Sequence, residues 1–202
     1  SSSERYRLEW LAEKPFTTLF VCGNYENFDQ LYNYPIEEWN GGKIHKINDS
    51  VFHLMRGQVC KIDGKSFFTF GGASSHNIPD GILEMDDPRV LRWMFDREKM
   101  YRVNHVSWRK EELPSEEEMA EGIKKLEKND NKIDYIITHS PCTSFLKQMD
   151  GNTGLYKPDV LSDYLEKIKN TVNYRHWYFG HMHVNEEFPS EKSTCLYENI
   201  ML

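Results

Sequence analysis

Two histidines near the end of the chain have the residue types and the spacing of metal ligands. His181 and His183 follow an aromatic-rich segment, residues 175–179, that predicts a short buried strand. Gly180 separates the strand from the histidines and predicts a close approach of the backbone at this point. Side chains two residues apart on an extended backbone point to the same face, so we expect both imidazoles to project together. Neutral imidazoles offer nitrogen lone pairs to divalent ions, but this spacing alone is not specific.

Two other predicted strands also end in side chains that can bind metal. The run 17–22 leads through a glycine to Asn24, and the run 133–138 leads directly to His139. Strand ends of one sheet lie side by side, so we expect four side chains to converge on one cleft: Asn24, His139, His181 and His183. Two other interpretations stay open: Asn24 can be a turn residue that accepts a positive φ, and His139 can be a hydrogen-bonded histidine at a strand end.

The elements that must position these side chains show clear local signals. Asp63-Gly64 predicts a hairpin, Asn27 a helix N-cap, and Ser115 with Glu118 a capping box. Pro158 is the predicted first residue of a helix. In chain order we expect a helix over 4–14, strands over 17–22, 43–47, 51–55, 58–62 and 66–70, a helix over 115–128, a strand over 133–138, a helix over 158–169, and strands over 175–179 and 193–201.

Three segments of the chain resemble motifs of a known family. Gly23-Asn24-Tyr25-Glu26, Thr138-His139-Ser140-Pro141 and Gly180-His181-Met182-His183 are similar, in order and spacing, to the last three motifs of the calcineurin-like metallophosphoesterases. Residues 68–79 and 108–118 resemble a bacterial and phage branch of that family. The resemblance implies an α/β fold, a four-layer sandwich of two face-to-face sheets between helices, in one domain spanning residues 1–202.

The same resemblance implies a reaction and a set of metal ligands. Family members hold two divalent ions, Mn, Fe or Zn, roughly 3.5–4 Å apart. By resemblance, Asn24, His139 and His181 bind one ion and His183 binds the other. A metal-bound hydroxide then attacks a phosphodiester or a phosphomonoester, so the expected partner is a small phosphate-ester substrate.

The sequence departs from the family pattern in two places. The opening motifs, Asp-x-His and Gly-Asp-x-x-Asp, have no counterpart here, so we expect the N-terminal strand-helix-strand portion of the sandwich to be missing and this chain to bind one ion weakly or none. Tyr25 stands where the family has a histidine that helps to protonate the leaving oxygen, and a phenol of pKa near 10 is a poor acid at neutral pH. Two functions therefore stay open: a hydrolase, or a catalytically impaired member that acts as a binding or scaffolding module.

Four further histidines and one loop histidine have simpler interpretations. His76 lies in a polar loop, where it can either contact a substrate phosphate or be solvated. The others have no partner at metal-binding spacing and are predicted to be structural: His45, His53, His105 and His176.

The composition narrows the classes of partner. A net charge of −7 over 202 residues disfavours a broad nucleic-acid-binding surface, which leaves a nuclease as a weaker third hypothesis. No apolar run approaches the ~20 residues that a membrane helix needs. Four cysteines without a C-x-x-C pair indicate reduced thiols, from which we expect a cytoplasmic protein. No pattern in the sequence predicts an oligomeric state.

Overall fold

The structure, a computed structural model, describes residues 2–76, 78–151, 154 and 156–201. Its helices are α1 (Ser2–Ala12), α2 (Phe28–Leu31), α3 (Pro88–Trp93), α4 (Glu116–Lys128), α5 (Thr143–Asp150) and α6 (Val160–Thr171). Its strands are β1 (Thr18–Phe20), β2 (Ile36–Trp39), β3 (Gly42–Lys46), β4 (Val51–Leu54), β5 (Gln58–Ile62), β6 (Lys65–Phe70), β7 (Ile82–Leu83), β8 (Arg102–Val103), β9 (Lys132–Thr138), β10 (Asn173–Phe179), β11 (Glu186–Phe188) and β12 (Ser193–Cys195).

The strands form two large sheets and one small one. The first sheet has the order β1-β4-β3-β2, and the second has the order β11-β12-β10-β9-β6-β5. At the centre of the second sheet, β6, β9 and β10 run parallel, so their carboxyl ends meet at one edge. The pair β7-β8 forms the small parallel sheet. The architecture is mixed α/β, as predicted.

Apolar side chains join the layers into a sandwich. Ile44, Phe52 and Leu54 of the first sheet share one buried cluster with Cys60 of the second sheet. The other face of the second sheet packs against α4, α5 and α6, whose contributions include Leu126, Phe145, Leu161 and Leu165. Burying such a side chain fully contributes about 1.5–3 kcal/mol, so these two clusters are the main favourable term that holds the sheets and helices together.

Several local signals in the sequence are confirmed. Asp63 and Gly64 both have positive φ, 49° and 74°, as a tight hairpin turn between β5 and β6 requires. Ser115 and Glu118 form a complete capping box at the start of α4. The side chain of Asn27 accepts a hydrogen bond from the backbone of Gln30 and caps α2.

The predicted start of the long helix at Pro158 is wrong. Asp159 is the N-cap of α6, because its carboxylate accepts the Ser162 N–H at 2.7 Å while the Ser162 hydroxyl accepts the Asp159 N–H. Val160, at the first helical position, is 51% exposed rather than directed inward. A capping carboxylate therefore outweighs the preference of proline for the first turn.

Some strands are shorter or more exposed than their composition suggests. The predicted strand 17–22 contracts to β1, whose residues are only partly buried, so it is not covered on both faces. The predicted last strand ends at Cys195 rather than running to residue 201. β2, β7, β8, β11 and α5 were not predicted, because most of them are short and several pair through the backbone without an alternating apolar pattern.

All four cysteines are free and buried, which agrees with the prediction of reduced thiols. Burial raises the pKa of each thiol to about 11: Cys22, Cys60, Cys142 and Cys195. These cysteines are therefore unreactive at neutral pH. A bilayer-spanning helix is not found in the part of the chain that the structure describes, since every helix there is too short or too polar.

Two of the histidines predicted to be structural form a buried pair. His45 and His53 lie opposite each other on β3 and β4, with their Nδ1 atoms 2.9 Å apart and their rings stacked. Burial, then the nearby His45 and Arg56, lowers the pKa of His53 to about 3. One imidazole must accept the shared hydrogen bond and must therefore be neutral, so the two rings cannot both be protonated while the bond is kept.

Acid is expected to destabilise the fold through His53. Its pKa is lower in the folded chain than in the unfolded chain, near 6.5, so the unfolded chain binds more protons between pH 6.5 and about 3. The free energy of unfolding therefore decreases as the pH is lowered through this window, by up to about 1.4 kcal/mol per pH unit for this group. The free energy of unfolding, measured with urea at pH 7, 6 and 5, should depend less steeply on pH in His53→Gln than in the parent. Equal slopes would contradict this expectation, since all other histidines are common to both proteins.

Candidate functional site

Two histidines occupy the ends of neighbouring strands at the centre of the second sheet. His139 directly follows β9, and His181 lies two residues after β10, which pairs in parallel with β9. Their ring centroids are 5.2 Å apart, with the planes at 60°. The Gly180 N–H donates to the His139 carbonyl at 3.0 Å, which fixes one loop against the other.

The loop after β10 does not continue the strand. His181 and His183 have positive φ, 70° and 53°, and the Met182 N–H turns back to the Gly180 carbonyl at 2.8 Å. Met182 is buried in the core, whereas His183 is exposed and stacks on Tyr197 at 4.8 Å. The extended geometry predicted for the two histidines is therefore wrong, and their positions come from a left-handed loop that anchors Met182. Such conformations cost of order 1–3 kcal/mol and are concentrated at functional sites.

Asn24 reaches the same region from the other sheet. It follows β1 of the first sheet, whereas His139 and His181 follow strands of the second, so the prediction that all three end strands of one sheet is wrong. The two sheets approach each other where Gly23 packs against the His139 ring. A Cβ atom added to Gly23 would lie 3.0 Å from Cε1 and 3.1 Å from Nε2 of His139. The approach at Gly23 is closer than the one at Gly180, where the nearest atom to an added Cβ is 3.5 Å away.

His76 joins the cluster from the loop after β6. Its Nε2 atom lies 3.1 Å from Nε2 of His181, and its ring meets Tyr156 edge-on at 5.2 Å. The side chain is half-buried, so the interpretation of a solvated loop histidine is wrong. The structure therefore places His76 in direct contact with His181.

Burial keeps these imidazoles neutral at pH 7. The pKa of His139 is lowered to about 4 by burial and by the nearby His183. The pKa of His181 is lowered to about 3 by burial and by its histidine neighbours. Burial also lowers the pKa of His76. Neutral imidazole is the form that binds metal, so the cluster is ready to do so without losing a proton.

The donor chemistry fits a divalent ion, although the ligand set is small. The Nε2 atom of His139 is buried and has no hydrogen-bond partner within the described residues, which leaves a polar nitrogen unsatisfied. A divalent ion would satisfy it. Across residues 2–76, 78–151, 154 and 156–201, no group of three or more His, Cys, Asp or Glu side chains is arranged around one ion. The two imidazoles would therefore need an amide oxygen such as that of Asn24 as a further ligand.

A buried polar chain supports Asn24 from behind. Asn24 Nδ2 donates to Ser75 Oγ at 3.3 Å, and Ser75 Oγ donates to the Glu112 carboxylate at 2.6 Å. Glu112 is only 3% exposed. Arg56, also buried, donates to the Glu112 carbonyl at 3.3 Å. Sequence reasoning missed Glu112 and Arg56 because charged residues are usually exposed and these two have no motif spacing.

Tyr25 follows Asn24 in the chain and is exposed, with 71% of its surface accessible. Its phenolic oxygen accepts a hydrogen bond from Arg102 Nη2 at 2.6 Å, and the same guanidinium lies 5.3 Å from the ring centroid. A second contact, from Arg109 to Asp29 at 2.6 Å, ties the segment 80–109 to α2, the helix that follows the loop carrying Asn24. Sequence reasoning did not find Arg102, which is distant in the chain and belongs to no motif.

Two cavities in the described part of the chain lie away from these residues. One of about 620 Å³ is lined by residues around Arg56, including Tyr32, His45 and Glu118. Another of about 370 Å³ lies between α1 and the first sheet. Neither cavity is lined by Asn24, His139 or His181, so cavity volume alone does not identify the candidate metal site.

Comparison with known proteins gives one positive result. The sequence profile of the calcineurin-like phosphoesterases matches residues 2–185. No curated protein and no solved structure matches the chain. Members of this family generally bind two divalent ions and act on phosphate esters. The matched region covers most of the 202 residues and contains Asn24, His139, His181 and His183, and the chain therefore belongs to the calcineurin-like phosphoesterase family.

Proposed function

We propose that this chain forms the core of a metal-dependent hydrolase that acts on a small phosphodiester or phosphomonoester. The observation that supports it most directly is the neutral His139, whose buried Nε2 atom has no partner within the described residues and whose ring faces a second neutral histidine. Folded proteins rarely leave such a group unsatisfied, and bound metal is the simplest partner for it in this family.

Each candidate residue has a specific role in this proposal. Asn24, His139 and His181 would hold one divalent ion, and Mn, Fe and Zn all suit such ligands. The exposed His183 would offer a single imidazole to a second ion, which is too few ligands for this chain to hold that ion on its own. When bound, the ions polarise the phosphoryl group and activate water. Neutral ligands preserve the positive charge that this chemistry needs. His76, beside His181, contacts the substrate phosphate.

Tyr25 and Arg102 act on the leaving group in this proposal. Because Arg102 donates to the phenolic oxygen of Tyr25, the phenol proton remains free to point towards another acceptor. The Arg102 guanidinium adds positive charge beside Tyr25. Together they can hydrogen-bond a departing oxygen, although a phenol transfers a proton poorly at neutral pH.

The hydrolase proposal is tested by metal removal and replacement. The chain is stripped with a chelator and assayed with p-nitrophenyl phosphomonoesters and diesters, with and without added Mn²⁺, Fe²⁺ or Zn²⁺. Hydrolysis that needs an added ion and is lost in His181→Ala supports the proposal. Hydrolysis that is equal in the chelator and in both proteins contradicts it.

A binding or scaffolding module is the second candidate function. The observation that favours it is the absence of a three-residue His, Cys, Asp or Glu group in the described part of the chain, together with the histidine-to-tyrosine change at position 25. Such a module would still bind an ion or a phosphate ester but would not turn it over. Measurable metal binding without hydrolysis of any of these esters would support the module.

In a version of the protein that carries the family's opening Asp-x-His and Gly-Asp-x-x-Asp motifs, replacing Tyr25 with histidine should raise the turnover of alkyl phosphodiesters. Their basic leaving groups need a proton, which an imidazole supplies near pH 7, and positioned acid catalysis is typically worth about 10²–10⁴-fold. Nitrophenyl esters, whose leaving group departs unprotonated, should gain much less. The measurement is the ratio of the two rates, variant against parent, at saturating Mn²⁺. An equal gain on both substrates would instead indicate an effect on the metal site or on packing.

A further inference from the structure

We infer that Ser75 and Glu112 are positioning residues that orient the Asn24 amide, so that its oxygen rather than its nitrogen faces the histidine cluster. The inference rests on the proposed function, because it concerns the ligand that Asn24 would offer to a metal ion. It also has a purely geometric content that can be tested without metal.

Both carboxylate oxygens of Glu112 accept hydrogen bonds from Ser75. Its Oε1 atom accepts the Ser75 N–H at 2.9 Å, and its Oε2 atom accepts the Ser75 hydroxyl at 2.6 Å. Its own backbone carbonyl, and that of Glu111, accept hydrogen bonds from Arg56 Nη2 at 3.3 and 2.6 Å. The short turn at residues 110–112 is thereby fixed under the loop that carries Ser75 and His76.

The orientation of Asn24 follows from counting protons. A serine hydroxyl has one hydrogen, and a hydrogen bond to a buried carboxylate at 2.6 Å is the strongest use of it. Ser75 Oγ can then only accept from Asn24, whose Nδ2 atom lies 3.3 Å away. The reversed amide would place two acceptors against each other with no hydrogen between them, and this arrangement is unfavourable because both groups would be left unsatisfied.

The carboxylate of Glu112 therefore selects the ligand atom of Asn24 through one intervening hydroxyl. With Nδ2 committed to Ser75, Oδ1 is the free end of the amide, and an amide oxygen is a suitable ligand for a divalent ion whereas an amide NH₂ is not. Neither Ser75 nor Glu112 needs to touch the ion or the substrate. Partners of this kind usually affect metal affinity by about 10–100-fold.

The geometric part is tested by NMR on the metal-free chain. The two Asn24 carboxamide protons should show cross-relaxation to the Ser75 β protons and slow exchange with water. In Ser75→Ala the slow exchange should be lost, whereas Ser74→Ala, the neighbouring control, should leave it unchanged. Asn24 carboxamide protons that show no proximity to Ser75 in the parent would overturn the inference, whether or not metal binds.

The functional part is tested by Mn²⁺ affinity in a double-mutant cycle of Glu112→Gln and Asn24→Asp. Glu112→Gln lets the new amide donate to Ser75, whose hydroxyl then donates to position 24 and turns the nitrogen of Asn24 towards the cluster. Mn²⁺ affinity should fall about 10–100-fold, by the usual cost of losing an outer-shell partner.

Asn24→Asp should recover Mn²⁺ affinity in the Glu112→Gln background, because the aspartate carboxylate accepts the hydrogen bond that the Ser75 hydroxyl now donates to position 24. With the parental Glu112, Asn24→Asp should raise Mn²⁺ affinity less, because the two carboxylates then compete for the single proton of the Ser75 hydroxyl. Glu116→Gln, on an exposed turn of α4, is the matched charge control.

The outcomes of this cycle separate the two claims. Mn²⁺ binding that is the same in the parent and in folded Glu112→Gln overturns the inference and leaves the proposed metal centre intact. A parent that binds no Mn²⁺ at millimolar concentration contradicts the proposed metal centre, and the NMR result then decides the orientation of Asn24 on its own. Additive effects of the two substitutions also overturn the inference, since the relay requires coupling between them.

Discussion

The substitution His139→Ala is expected to lower Mn²⁺ affinity by more than about 100-fold, beyond the cost of losing an outer-shell partner. The imidazole is neutral, its buried Nε2 atom has no hydrogen-bond partner in the described part of the chain, and its ring lies 5.2 Å from that of His181. Removing it deletes a ligand that the remaining amide and imidazole cannot replace, because the loop after β10 is fixed by the buried Met182.

A second partly buried histidine provides the control for this prediction. His176 lies on β10, where its Nε2 atom pairs with the Thr194 hydroxyl at 2.8 Å, away from the cluster. Calorimetric titration with Mn²⁺ should show nearly parental affinity in His176→Ala and no detectable site in His139→Ala. Parental affinity in both variants would remove His139 from the site. The fold should survive in His139→Ala, because the substitution removes an unsatisfied polar group rather than a packed apolar one.

Replacing Arg56 with methionine is expected to have the largest effect on stability. Its guanidinium is buried and donates five hydrogen bonds, to the carbonyls of Gly71, Glu111, Glu112 and Leu113 and to the carboxylate of Glu118. Removing one partner of a buried charged network typically costs about 3–5 kcal/mol. For a domain of this size, that corresponds to a fall in Tm of roughly 6–20 °C.

An exposed ion pair gives the comparison for Arg56. Arg175 pairs with Asp134 at 2.8 Å, but 65% of its side chain is accessible to solvent. Surface pairs of this kind contribute about 0–1 kcal/mol, so Arg175→Met should unfold in urea almost as the parent does. A free energy of unfolding for Arg56→Met within about 1 kcal/mol of the parent would show that the surrounding carbonyls find other partners. Arg56→Lys should recover little, because an ammonium cannot donate to the same five acceptors.

The parts of the fold that depend on local patterns were predictable from the sequence. The hairpin at Asp63-Gly64 and the capping box of Ser115 with Glu118 each depend on a few neighbouring residues, whose conformational preferences act without the rest of the chain. The strands that lead to His139 and His181 were also predictable, because β9 is rich in isoleucine and β10 in aromatic residues, which favour strands. The motif residues could be identified through the family resemblance, and the profile match to residues 2–185 confirms that family.

The remaining features depend on long-range contacts that no local pattern encodes. Asn24 belongs to a different sheet from His139, and only the three-dimensional arrangement shows that Gly23 brings them together. The left-handed loop at His181 follows from the burial of Met182, which a strand pattern cannot reveal. Glu112 looks like one more acidic surface residue in the sequence, yet it is buried beneath Ser75. Ser75 and Glu112 are 37 positions apart in the chain, and the spacing of residues in the sequence does not predict a contact over such a separation.

The most direct measurement of the proposed centre is pulsed electron paramagnetic resonance of the chain loaded with one equivalent of Mn²⁺. Directly bound imidazole gives ¹⁴N couplings that the hydrated ion lacks. We expect these couplings in the parent and in His176→Ala, and their loss in the double variant His139→Ala/His181→Ala. A spectrum of the hydrated ion in the parent, or ¹⁴N couplings that persist in the double variant, would contradict the assignment of His139 and His181 as the metal ligands of this phosphoesterase core.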